Sequence, residues 1–196
     1  MPRDPEPTRA AILAAASELL ESGGPDALTL RSVGAAAGVS RSAPYRHFAD
    51  KTELERALAA RSMIELAQKI RDQTRSGRHR TRLLRGCRAY LRHAIEQPHH
   101  YLLIFGDTPI ATPVAEVSAA ADDAMAAVEE MTQLAQTDGI LVAGPMREIA
   151  TVLWVLLHGL AQLRITGHLR EPRTVEGDAG VDQLLKIALT SLRPHA

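Results

Sequence analysis

The chain has 196 residues, enough for one large domain or for a small domain joined to a medium-sized one. Its formal net charge is zero, so overall charge neither indicates nor excludes a nucleic-acid partner. A single cysteine, Cys87, excludes an intrachain disulfide and suits a reducing cytoplasm, where we expect the protein to act. We expect no membrane association, because no run of about 18 uninterrupted apolar residues and no signal-peptide pattern occurs.

The composition predicts an all-α fold. Alanine and leucine, both strong helix formers, supply most of the apolar residues, and runs of β-branched residues are nearly absent. After a flexible lead-in over residues 1–7, about nine helices are expected. In chain order they cover about 8–22, 29–37, 41–48, 50–74, 81–96, 98–105, 113–137, 145–166 and 181–192.

Capping residues mark the boundaries of the first four helices. The run Gly-Gly-Pro, residues 23–25, should end the first helix. Thr29 is a good N-cap for the second helix, which should end in a tight turn at Gly38. Ser40 is predicted to cap the third helix, and Asp50 opens the fourth with the spacing of a capping box.

The two short helices within residues 29–48, joined by a glycine turn, predict a helix-turn-helix. In this motif the second helix enters the DNA major groove and its first residues face base edges. Arg41 could pair bidentately with guanine, and Tyr45 and His47 offer donors for phosphate oxygens. Lys51 combines its charge with free N–H groups at a helix start. The residues expected at the exposed N-terminal turn are Ser40, Arg41, Ser42 and Ala43.

The segment TLRSVGAAAGVSRSAPYRHFADKTEL, residues 29–54, resembles the DNA-binding signature of the TetR family of transcriptional regulators. The resemblance implies a helix-turn-helix DNA-binding domain over residues 1–51 and a helical effector-binding and dimerisation domain over residues 52–196. Arg46 is left open between a phosphate contact and a solvated side chain. The implied phosphate contacts are Thr29, Tyr45, His47 and Lys51, with bases read around Arg41 and Ser42. The implied core residues are Leu30, Val33, Val39 and Phe48.

The resemblance also implies partners: a double-stranded DNA operator, a small-molecule effector of unknown identity, and a second copy bound through the last two helices. Such a dimer fits a palindromic operator. Repression is the family default, and activation remains open, as does a helical ligand-binding or adaptor protein without operator binding. We expect no enzyme, cofactor or metal site, because no G-x-S-x-G, P-loop, H-E-x-x-H or G-x-G-x-x-G motif occurs.

Residues 150–169 are apolar around much of the helix and are therefore expected to be buried on several sides. Trp154, His158 and Gly159 resemble a TetR subgroup named for a WHG motif. Trp154 and His158 lie four residues apart and share a helix face, so they are candidates for lining an effector pocket. The ordinary interpretation is a core or interface tryptophan and a hydrogen-bonded histidine. The apolar residues expected to be buried are Val152, Val155, Leu156, Leu160 and Leu163.

The arginine-rich segment, residues 69–92, has an ordinary interpretation as a solvated surface; the alternative is a contact with an acidic effector or partner. Cys87 within it is expected to be a small packed residue. Its alternative is a redox-sensitive thiol, if the flanking arginines face it and lower its pKa.

His93, Glu96 and His100 raise the possibility of a metal site. Pro98 interrupts the helix between them, and no further ligand follows at a recognised spacing. We therefore expect no metal site, and we expect His99 and His100 to lie at a polar helix end.

Overall fold

The computed structural model describes residues 5–75, 78–106, 115–169 and 177–194. These residues form nine α-helices and no strand, which confirms the all-α prediction. The first helix begins at Pro5 rather than near Thr8, and proline is well suited to a first helical position. In chain order the helices are α1 Pro5–Ala27, α2 Leu30–Ala36, α3 Ala43–His47, α4 Lys51–Arg75, α5 His79–Glu96, α6 Pro98–Phe105, α7 Ala115–Thr137, α8 Met146–Ile165 and α9 Gly177–Ser191.

Backbone packing divides the chain into two compact units, and the first comprises residues 1–63 and 97–121. Within it, α1 packs against α2, α3 and α6. The helical path of α1 is broken at Gly24, whose φ of +68° is in the left-handed region, as the Gly-Gly-Pro run predicts. The predicted core residues Leu30, Val33 and Phe48 are buried in one apolar cluster, and Val39 packs against it.

The contact between α1 and α6 buries His100, so the prediction that this residue lies at a polar helix end is wrong. Its Nε2 atom lies 2.9 Å from the Ser17 hydroxyl and 4.0 Å from the Glu21 carboxylate. Burial raises the pKa of Glu21. Among the described residues, no group of three His, Cys, Asp or Glu side chains could hold a metal ion.

The second unit comprises residues 64–96 and 122–196, and in it α8 packs against α5 and α9. The single chain does not bury Val152, Val155 and Leu163, which are all exposed, so their burial against a second copy stays a prediction. Among the described residues, the fully buried side chains of α8 form one stripe, made of Ala150, Leu153, Leu157 and Ala161. By length and composition α8 could cross a membrane, but helices from soluble protein cores pass the same test.

Several arginines of the arginine-rich segment hold helices together instead of simply facing solvent. Arg71 on α4 binds the carboxylates of Asp123 and Glu130 on α7, at 2.8 and 3.0 Å. Arg88 on α5 forms a two-bonded pair with Asp182 on α9, at 2.5 and 2.9 Å. These carboxylates raise the pKa of both guanidinium groups.

Cys87 is fully buried, which confirms its interpretation as a small packed residue. Burial raises the pKa of its thiol to about 12, so the reactive thiolate is strongly disfavoured. The flanking arginines do not reverse this effect, since Arg85 donates to the Gln73 side chain and Arg88 to Asp182.

The Arg88–Asp182 pair predicts a pH-dependent contribution to stability. Arg88, with a smaller contribution from Lys186, lowers the pKa of Asp182 from 3.8 to about 2. Because the folded-state pKa is depressed, the stabilisation is present above pH 3.8 and is lost as the pH falls through about 2. We expect Asp182→Asn to cost about 1 kcal/mol near neutral pH, a modest value because solvent screens the 41% exposed Arg88.

Urea unfolding of the wild type and of Asp182→Asn, at about pH 6 and about pH 2.5, measures this contribution. The difference between the two proteins should shrink at the lower pH. Asp122→Asn, which neutralises an exposed carboxylate on α7, is the matched control. An equal difference at both pH values would contradict the predicted linkage.

Candidate nucleic-acid interface

The start of α2 is held by a reciprocal capping box. The Thr29 hydroxyl accepts the Ser32 N–H at 3.0 Å, and the Ser32 hydroxyl accepts the Thr29 N–H at 3.1 Å. This confirms Thr29 as the N-cap. The Ser32 hydroxyl also donates to the Ala27 carbonyl at 2.8 Å, which ties α2 to the end of α1. Sequence reasoning missed Ser32 because Glu or Gln usually occupies its position in the box.

The turn after α2 is a Schellman motif, and it confirms the tight turn predicted at Gly38. Gly38 has a φ of +64°, which glycine adopts without the steric cost of a Cβ atom. Its N–H donates to the Ala35 carbonyl, and the Val39 N–H donates to the Gly34 carbonyl at 3.1 Å. The turn therefore directs the chain back against α2 and brings Val39 onto the core.

A glycine–proline contact sets the separation of α2 and α3. A Cβ atom on Gly34 would lie 2.8 Å from Cγ of Pro44, closer than side chains pack. Both residues are buried. Pro44 occupies the first turn of α3, where its missing N–H costs little. Sequence reasoning did not predict this contact between Gly34 and Pro44.

The third helix begins later than predicted, at Ala43, and Ser42 rather than Ser40 occupies its N-cap position. A separate turn precedes the helix, closed by a 3.0 Å hydrogen bond from the Ala43 N–H to the Ser40 carbonyl. Ser42 makes no side-chain cap bond to the helix, and its hydroxyl lies 3.4 Å from the Ser40 hydroxyl.

We name residues 40–42 the reading turn. Its three side chains are exposed, so Ser40, Arg41 and Ser42 are accessible as predicted. The predicted exposure of Ala43 is wrong: only 9% of this residue is accessible, because it lies on the side of α3 that is buried together with Pro44. Ala43 therefore drops out of the candidate contacts.

The helix that follows the reading turn presents the other candidate contacts. Tyr45 is 58% exposed, an unusual position for a large aromatic side chain. Arg46 is exposed and His47 is half-buried, while Thr29 is exposed at the start of α2. The exposure of Arg46 is compatible with either a phosphate contact or a solvated role.

The start of α4 holds the last candidate contact, Lys51. The Asp50 carboxylate accepts the Glu53 N–H at 2.8 Å, which confirms the capping at this helix start. The Lys51 ammonium donates to the Pro25 carbonyl at 2.8 Å and lies 3.5 Å from the Glu55 carboxylate. Because an ammonium group has three N–H donors, one remains for an acceptor outside the protein.

The second unit contains an open pocket of about 250 Å³ between α5 and α9. Trp154 and His158 do not line it; their rings lie 5.8 Å apart, and both residues are half-buried on α8. Burial lowers the pKa of His158. A role for this pair in effector binding remains a prediction. The pocket is lined by Arg88, Leu91, Arg92, Ile95, Glu96, Val181 and Asp182.

The packed helices α1 to α3, the Schellman turn and the exposed reading turn define a helix-turn-helix DNA-binding protein. Residues 12–58 match the family model described as bacterial regulatory proteins, tetR family. Residues 83–188, more than half of the chain, match the model described as tetracyclin repressor-like, C-terminal domain. The chain belongs to the TetR family of DNA-binding transcriptional regulators, which are transcription factors and not enzymes.

Solved structures show the same fold. A protein of unknown function from Rhodococcus sp. RHA1 is 28% identical, with a TM-score of 0.77 over 94% of this chain and 93% of that chain. A TetR-family regulator from Pectobacterium atrosepticum is 19% identical, with a TM-score of 0.75 over 100% and 99%. A tetR-family regulatory protein from Rhodococcus RHA1 is 17% identical, with a TM-score of 0.67 over 96% and 98%. Among curated proteins, none matches this sequence.

Proposed function

We propose that the protein is a homodimeric repressor that binds a palindromic operator and is released from it by a small-molecule effector. Family membership supports DNA binding. The observation that carries the proposal is the exposed reading turn, residues 40–42, followed by a helix that the Gly34–Pro44 contact holds against α2. In this proposal residues 1–51 bind DNA, residues 52–196 bind the effector and the second copy, and the protein acts in the cytoplasm.

The DNA contacts divide into base-reading and phosphate-binding groups. Arg41 reads a guanine through its two-pronged guanidinium group, with the hydroxyls of Ser40 and Ser42 beside it. The capping contacts at Thr29 and the Pro25 contact of Lys51 fix these two side chains before DNA arrives, which reduces the entropy lost on binding. The proposed phosphate contacts are Thr29, Tyr45, His47 and Lys51, with Arg46 as a further one.

The dimer forms through α8 and α9. The exposed side chains of Val152, Val155 and Leu163 lie on the side of α8 opposite its buried stripe, and Ile187 on α9 is 59% exposed. Exposed apolar surface of this kind favours association, because covering it removes it from water. The same two helices of a second copy would cover it, and the resulting twofold axis matches a palindromic operator.

Release by the effector requires a difference in affinity. An effector can empty the operator only if it binds the DNA-free conformation more tightly than the DNA-bound one. The expected signature is therefore reciprocal: DNA weakens effector binding by the same factor by which the effector weakens DNA binding.

Operator binding can be tested with DNA that the purified protein selects from a random pool. Mobility-shift titrations should show at least about a tenfold loss for Tyr45→Ala combined with Lys51→Ala, because two phosphate contacts are removed. Arg41→Ala should instead relax the preference for one base by about 1–3 kcal/mol. Arg75→Ala, which removes an exposed arginine on α4, is the control. Unchanged affinity of the double variant would refute the proposed interface.

A further inference from the structure

The pocket between α5 and α9 has one apolar wall, formed by Leu91, Ile95 and Val181. Leu91 and Val181 are almost entirely buried, so the neighbouring helices hold this wall in place. A volume of about 250 Å³ accommodates roughly ten non-hydrogen atoms, since a cavity of about 150 Å³ holds benzene. The pocket therefore suits a small molecule with an apolar body.

Arg92 contributes a guanidinium group to the charged lining, and none of the described residues pairs with it. Arg88 and Asp182 bind each other, and Lys186 adds a 2.7 Å contact to the same carboxylate. These charged groups are therefore already paired, and they line the pocket. In the part of the chain that the structure describes, no side chain forms an ion pair or hydrogen bond with Arg92. Its planar fork of N–H donors matches the two oxygens of a carboxylate.

The remaining lining residue, Glu96, restricts the charge of a ligand. It lies four residues after Arg92, on the same face of α5, and its carboxylate is exposed. The lining has two arginines and two acidic residues, so its formal charges cancel. The acidic residues would repel a polyanion, whereas a single carboxylate paired with Arg92 largely avoids this repulsion. We propose that this pocket binds small amphipathic monocarboxylates, anchored by Arg92 and packed on Leu91, Ile95 and Val181.

Binding would add a second link between α5 and α9, beside the Arg88–Asp182 pair. Because α9 contributes to the proposed dimer surface, a ligand here could alter the pairing of two copies. That regulatory consequence rests on the proposed function, whereas the binding step does not.

Calorimetric titration of the full-length protein with hexanoate and with benzoate tests the site, and 1-hexanol and benzyl alcohol are the uncharged counterparts. We expect Arg92→Gln to raise the Kd of both acids about tenfold, through loss of a charge-assisted pair, and to change alcohol binding little. Ile95→Trp should weaken acids and alcohols alike by filling the pocket. Arg75→Gln removes an exposed arginine from the same segment and should leave binding unchanged.

The outcomes separate the site from the proposed function. The assignment would be overturned if the wild type bound no acid, or if Arg92→Gln bound acids as tightly as the wild type. It would also be overturned if Trp154→Ala lost acid binding while Arg92→Gln kept it. Mobility shifts on the same samples test the repressor independently. Acid binding by a protein that binds no DNA would support the pocket and refute the repressor. DNA binding by a protein that binds no acid would support the repressor and refute the pocket.

Discussion

Replacing Gly34 with valine should weaken operator binding by at least about tenfold and lower the free energy of unfolding by about 1–3 kcal/mol. Even a Cβ atom at this position would lie 2.8 Å from Cγ of Pro44. The proline ring has no long side chain that could swing away, and both residues are buried. We therefore expect α3 to be displaced from α2, which would move the reading turn and Tyr45 out of register with the groove.

Ala35→Val is the matched control for this substitution. Ala35 is the next residue of α2 and is exposed, so we expect the same side chain there to extend into solvent. Urea unfolding measures the stability of both variants, and mobility shift measures their affinity for the selected operator. If Gly34→Val bound DNA as tightly as Ala35→Val, the contact between α2 and α3 would not determine the position of the reading turn.

Combining Val155→Glu with Ile187→Glu should convert the proposed dimer into a monomer. Both side chains are more than half exposed in the single chain, so the substitutions should leave each monomer folded. At a twofold interface, however, each carboxylate would appear twice and be buried without a partner, and burying a charge without a partner is strongly unfavourable. We expect operator affinity to fall by more than about 100-fold, because each half-site would then be bound separately.

Light scattering at micromolar concentration measures the mass of the particle, and circular dichroism verifies that it is folded. Ala119→Glu combined with Gln133→Glu adds the same charge at exposed positions of α7 and should stay dimeric. A dimeric Val155→Glu/Ile187→Glu variant would refute α8 and α9 as the interface. A wild type that is monomeric throughout would refute the dimer itself.

Features that depend on neighbouring residues in the chain were predictable from the sequence. Thr29 caps α2, Gly38 ends it and Gly167 has the left-handed conformation that follows α8, because capping and backbone preferences act within a few residues. The existence of α6, Pro98–Phe105, was predicted with the same bounds. The division into residues 1–51 and 52–196 comes from the family resemblance and stays a prediction. Backbone packing groups the described residues 97–106 and 115–121 with the amino-terminal helices.

Features that depend on distant residues were not predictable. One such feature is the contact between Gly34 and Pro44. Another is the separate turn at residues 40–43, because of which α3 begins at Ala43 and Ser40 is not its N-cap. Because apolar residues occur around much of α8, its sequence does not reveal which face of the helix the chain itself covers. Nothing in the neighbouring residues indicates that Arg88 is bound to Asp182.

The sequence by itself determined the helices, the helix-turn-helix signature and the family, since these follow from local backbone preferences and a conspicuous motif. Only the tertiary structure decided that Ala43 is buried and that the exposed face of α8 is apolar. It also decided that Arg92 lies at a pocket with no partner among the described residues, while Arg88 is paired with Asp182. The physical reason is that burial and ion pairing depend on which residues, far apart along the chain, meet in space.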